Sequence, residues 1–163
     1  MTPAELTDYF TAEKQGACLL VVIAIAGLGF AAYLWFGRSA YLAMAWPLIV
    51  VSVLALAVGL GVGLRTPSQV AGLEQGLQTA KTDTVAAEIK RMDKVNRSFR
   101  VIKVVEITLV AVTLLLVALL PIPSTWASVG MGLLLEASVL LVFDTIAHHR
   151  AEVYAKWLQS LVS

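Results

Sequence analysis

Charged residues along this chain fall into blocks, and long apolar stretches separate them. Residues 18–36 carry no charge, and neither do residues 40–64. Residues 104–120 carry only Glu106, and residues 125–147 only Glu136 and Asp144. A bilayer core about 30 Å thick takes about 20 apolar residues in a helix. A helix also satisfies its own backbone hydrogen bonds, which hydrocarbon cannot do. The pattern therefore predicts an all-α integral membrane protein: a four-transmembrane-helix bundle with spans at 18–36, 40–64, 104–120 and 125–147. The first span reads as a permanent helix, because Glu5, Asp8 and Glu13 precede it where a cleaved signal would be basic.

The connections between spans are unequal. Gly37 and Arg38 mark a short loop between the first two, and Pro121, Ile122, Pro123 and Ser124 join the last two. The segment between spans two and three is far longer and has helical patterning of its own. Thr66-Pro67-Ser68-Gln69 reads as a capping box with proline at the first helical position. Val70, Leu73, Leu77 and Ala80 then recur on one helical face. Lys81-Thr82-Asp83-Thr84 reads as a turn, with Asp83 or Thr84 as the next cap. Val85, Ile89, Met92, Val95, Phe99 and Ile102 follow at steps of three and four. The prediction is an antiparallel helical hairpin over about 66–103, standing off the membrane, whose second arm runs unbroken into span three. Its arms, 67–80 and 84–99, match at about 21 and 24 Å. Thr2-Pro3-Ala4-Glu5 is a further capping box, so the first helix is expected to begin well before span one.

Composition narrows the class. Of 163 residues, 59% are hydrophobic and 14% are charged, against roughly 25% charged in a soluble domain. Mean hydropathy is +0.83. These values exclude a disordered chain, and the single cysteine, Cys18, excludes a disulfide scaffold. Cys18 opens an apolar run and reads as a small buried hydrophobe.

Charge gives direction. Eleven of the twelve Lys and Arg side chains lie in the long connection or at the two ends of the chain, and Arg38 alone lies on the other side. Positive-inside bias then puts both termini and the hairpin in the cytoplasm, consistent with a bacterial inner membrane. Trp35, Tyr41, Trp46 and Trp126 form the aromatic belt of the opposite side. The basic face made by Lys90, Arg91, Lys94, Arg97 and Arg100 has two readings. Arg97, Arg100 and Lys103 can reach anionic headgroups, at about 1 kcal/mol each. The simpler reading is a solvated face that reports topology. The patch is short, lacks interleaved aromatics and is diluted by Glu88 and Asp93, so nucleic acid is not an expected partner.

Polar residues inside the spans carry the candidate chemistry. Glu136 lies near the bilayer midplane, where a charge costs at least about 2.5 kcal/mol. It is expected to face the bundle interior. Ser52 and Thr113 fall at similar depth. The set Glu136, Ser52 and Thr113 reads either as simple hydrogen bonding or as proton or cation coupling. Glu106, Asp144, His148 and Glu152 form a second polar group at the cytoplasmic ends of spans three and four. The last three share one side of a helix at steps of four. Their spacing lacks the paired-histidine pattern of zinc enzymes, and neither metal nor cofactor is expected. Ala55, Gly59 and Gly63 make a small-residue ridge on span two, suited to close helix packing within the bundle or to a homodimer.

Three functions are compatible with this reading. The first is a non-catalytic inner-membrane interaction protein, an accessory or immunity-type subunit that presents the hairpin to a protein partner. The second is a small oligomeric channel or proton-coupled transporter using Glu136. The third is a lipid-acting membrane enzyme built on Glu106, Asp144 and His148. The absence of a recognisable catalytic set favours the first, with membrane lipids and either a second copy or another protein as partners.

Overall fold

A computed structural model describes residues 3–162. Four long helices account for nearly all of it: α1 (Pro3–Phe36), α2 (Ala45–Thr79), α3 (Lys81–Leu119) and α4 (Thr125–Ser160). A 3-10 turn at Leu42–Met44 precedes α2. All four helices are long and apolar enough to cross a membrane. At 1.5 Å per residue they measure about 51–58 Å, against about 30 Å of hydrocarbon. Short turns join α1 to α2 and α3 to α4 at one end. The charged surplus of all four helices lies together at the other end.

That surplus is packed. Phe10 of α1, Val85 and Met92 of α3, and Ala151, Tyr154, Ala155 and Leu158 of α4 form a buried core, with Val70, Leu73 and Leu77 of α2 against it. The antiparallel α2–α3 hairpin is one part of this core. Two helices cannot cover both apolar faces of such a hairpin, and the ends of α1 and α4 close it into a four-helix bundle. Farther along, Leu20, Ala24 and Ala55 form a second cluster. At the opposite end Ala31, Leu34, Met44, Ala45 and Leu48 form a third.

Several helix boundaries differ from those expected. The Thr66–Gln69 capping box starts no helix, because α2 runs through it with Pro67 inside. Proline forgoes one backbone bond there. The hydroxyl of Thr66 donates back to the Val62 carbonyl at 2.8 Å, and that of Ser68 to the Arg65 carbonyl at 2.8 Å. The hairpin turn is a single residue, Ala80 (φ −146°, ψ 68°), and no side chain caps either helix there. Asp83 lies in the first turn of α3 rather than at its cap. Residues 40–44 lie outside α2. Ser124 does cap α4, accepting from the Ala127 amide at 3.3 Å. Thr2 is outside the described residues. At the end of α1 the left-handed residue is Arg38 (φ 48°) rather than Gly37. A carbon on Gly37 would instead meet the Tyr33 carbonyl oxygen at 2.8 Å.

The helices are not arranged as an even square. α1 lies along α2, α3 lies along α4, and α4 also packs on α2 and α1. The backbones of α1 and α3 nowhere approach within 8 Å among the described residues. Over its apolar half α3 thus has chiefly one neighbour, and Val101, Val104, Val105, Val112 and Leu115 stay exposed. Close approach of α4 to α2 depends on Gly132, where an added carbon would lie 2.7 Å from Pro47 Cγ and 2.8 Å from the Met44 carbonyl oxygen.

Candidate functional site

The residues singled out from the sequence separate into distinct places. Mid-span, α4 directs Glu136 toward α1 and α2. Its carboxylate is buried, and Ser52 Oγ donates to Glu136 Oε1 at 2.9 Å. Gly27 of α1 faces the pair, and a carbon there would fall on the Ser52 hydroxyl. A glycine is thus what admits the carboxyl between α1 and α2. Thr113 does not join them. Its hydroxyl is buried but donates within α3, to the Leu109 carbonyl at 2.6 Å. It lies against Gly130, on the side of α4 that meets α3. The three-residue set is therefore a two-residue one, Ser52 and Glu136.

The polar group at the charged end also divides. Glu106 of α3 and Asp144 of α4 are neighbours across the α3–α4 contact. A hydrogen bond between two carboxyl groups exists only when one proton is held between them. Glu106 Oε2 is buried, and no donor group bonds to it. One turn farther along α4, His148 stacks on Phe99 with ring centroids 5.4 Å apart. Its Nε2 lies 3.4 Å from Glu152 Oε1, without hydrogen-bond alignment. Among the described residues no three His, Cys, Asp or Glu side chains converge as a metal ion would require. The chemistry available is proton sharing in one pair and a charge-dependent contact in the other.

The most extensive polar network lies in the core at the charged end, and the sequence reading did not find it. Arg91 grips Glu88 with two bonds, Nε to Oε2 at 2.8 Å and Nη2 to Oε1 at 2.7 Å. Tyr154 Oη donates to Glu88 Oε1 at 3.3 Å. Tyr9 stacks flat on Tyr154, with centroids 4.1 Å apart and planes 7° apart. Burial pushes both phenols up, Tyr9 to about 12. Burial also raises the Glu13 carboxyl, against the opposing pull of Arg91 and Arg65. Arg150 anchors α4 to α1 by donating to the Ala12 carbonyl at 2.8 Å. The signal in the sequence was Glu88 itself. It stands three residues after Val85 and four before Met92, so a carboxylate occupies a core position of an apolar series. Arg91, read as part of the outer basic face, turns inward to meet it.

Of the supposed headgroup set, Arg97 and Arg100 are exposed, whereas Lys103 is half-buried on the side that faces His148. The small-residue ridge is occupied within the chain. Gly59 packs on α1, where an added carbon would lie 2.9 Å from Val21 Cγ2 and 3.1 Å from the Ala17 carbonyl oxygen. Gly63 faces Ala17 and Ala55 is buried beside Leu20 and Ala24. Within the chain, α1 already packs along this ridge. Cys18, expected to be buried, is exposed on α1. Comparison with protein families, with characterised proteins and with solved structures finds no match to this chain.

Proposed function

We propose that this chain is a non-catalytic membrane interaction protein, an accessory or immunity-type subunit, which presents its charged end to a protein partner in the bacterial cytoplasm. The observation that carries this reading is the closed bundle formed by the extramembrane ends of all four helices. A core of Phe10, Met92, Tyr154 and Leu158, braced by the Glu88–Arg91 pair, makes a rigid body rather than a loose loop. Its outer α3 surface displays Lys90, Lys94, Arg97 and Arg100. A preorganised basic surface suits an acidic protein face, since little ordering cost remains at binding. Purification in native lipid, followed by mass spectrometry of the intact complex, tests the proposal. The expected result is one different protein at fixed stoichiometry, retained when Glu136→Gln is introduced.

Glu136 supports a second reading, a small oligomeric proton-coupled transporter. A carboxyl bonded to Ser52 at mid-span is the kind of group that marks ion pathways. That reading requires a homo-oligomer without a foreign subunit. It also requires pH-dependent flux that Glu136→Gln abolishes.

A further inference from the structure

We propose that α3 carries a binding site for one anionic phospholipid, with the phosphate on Arg97 and Arg100 and an acyl chain along Val101, Val104 and Val105. These five residues line an open groove of about 410 Å³. Their spacing puts them on one face of the helix, the two arginines first and the valines after. Side chains three apart on a helix stand about 5–6 Å from each other at Cβ, so two guanidinium groups can share one phosphate. Neither arginine makes an ion pair within 4 Å among the described residues. Asp93 and Lys94, one turn earlier, are exposed and also unpaired, which leaves the groove's own charge positive.

Position selects a lipid over a free anion. Lys103 is the last cation before the apolar run of α3, so the arginines stand where charge gives way to hydrocarbon. Directly beyond them Val101, Val104 and Val105 are 59%, 64% and 52% exposed. A soluble anion would use the arginines and leave the valines bare. A phospholipid uses both. An anionic headgroup is favoured over a zwitterionic one, which would bring its own cation against two guanidinium groups. Arg97 and Arg100 also belong to the basic surface proposed above for a protein partner, so lipid binding is read on the chain alone, where its failure leaves the partner reading untouched.

The test is lipid binding to the full-length chain in detergent, read by native mass spectrometry with phosphatidylglycerol and phosphatidylcholine. Wild type should hold one phosphatidylglycerol in preference to phosphatidylcholine. Arg97→Gln with Arg100→Gln should weaken that binding about thirtyfold, or about fivefold for each arginine. Lys90→Gln with Lys94→Gln removes the same charge one to two turns away and should leave binding within twofold. An equal loss in the lysine pair would overturn the site in favour of general surface attraction. No preference between the two lipids would reduce it to an annular contact. Displacement by millimolar inorganic phosphate would make it a free-anion site. All four side chains are exposed, so the variants are expected to fold as wild type does.

Discussion

Replacing Gly27 by alanine should loosen the bundle more than one added methyl group ordinarily would. The new carbon would fall on the Ser52 hydroxyl and lie 2.7 Å from Glu136 Oε1. Neither neighbour yields freely. Ser52 is 1% exposed and Glu136 5%, and they are bonded to each other at 2.9 Å. Overpacking of a closed site costs about 1–3 kcal/mol. Rotating Ser52 away also breaks an interhelical hydrogen bond, worth about 0.6 and at most about 1.7 kcal/mol in a membrane protein. Gly27→Ala should therefore destabilise by about 2–4 kcal/mol, and Ser52→Ala by about 1 kcal/mol. The informative measurement is the pair together. With the hydroxyl gone, the nearest Ser52 atom is Cβ, at 3.4 Å from the new carbon. The double variant should then lose about 1–2 kcal/mol less than the two single losses combined. Reversible unfolding of the four proteins in mixed detergent micelles measures this. Additivity within about 0.5 kcal/mol would mean that Gly27 and Ser52 do not face each other, and the mid-span site would be wrong.

Two further predictions concern the core at the charged end. Met92 is fully buried among Phe10, Tyr154 and Leu158, so Met92→Ala should cost about 2–5 kcal/mol; a loss below about 1 kcal/mol in the same unfolding assay would show that the bundle is not closed around it. Burial holds the Glu13 carboxyl above its ordinary value. A carboxyl raised on folding contributes stability below its unfolded value, and that contribution is lost as pH rises through the folded one. Glu13→Gln should accordingly be near neutral at pH 4 and raise the unfolding midpoint at pH 8, whereas a lower midpoint at pH 8 would mean that pairing with Arg91 and Arg65 outweighs burial.

The spans were legible because hydrocarbon imposes a coarse rule. A charge inside a span is expensive, and the four stretches of 17 to 25 residues stand out from composition alone. Helix continuity was less legible. Local capping signals at Thr66 and Asp83 suggested boundaries, yet tertiary packing carried α2 through Pro67 and moved the turn to Ala80. A capping residue contributes only about 1 kcal/mol, less than a shared core of Val70, Leu73, Leu77 and Met92. The site residues show the same division. That Glu136 turns toward other helices follows from depth. That it meets Ser52 and not Thr113 depends on which helix α4 faces at that level, and nothing local in the sequence encodes this. Glu88 was hidden for a different reason. It stands in a segment rich in charge, where one carboxylate at a core position is easily counted as solvated surface.

The two acids of α4 show how the bundle is held. Glu136 and Asp144 are eight residues apart, which turns them about 80° about the helix axis. One points to α1 and α2, the other to α3. α4 therefore serves as the hub, with a polar contact into each half of the bundle. Along α3 the attachments to α4 recur at two levels, Glu106 with Asp144 in the span and Glu88 with Tyr154 beyond it. Between these levels, on the free side of the helix, lie Arg97 and Arg100. A ligand on that face does not compete with the contacts that fix α3. It would instead load the helix that has the fewest neighbours, which the Val85 and Met92 core, the contact along α4 and the hairpin turn hold in place. Among the four helices, α3 is thus the one whose placement a lipid or a protein partner can shift at the least cost in packing.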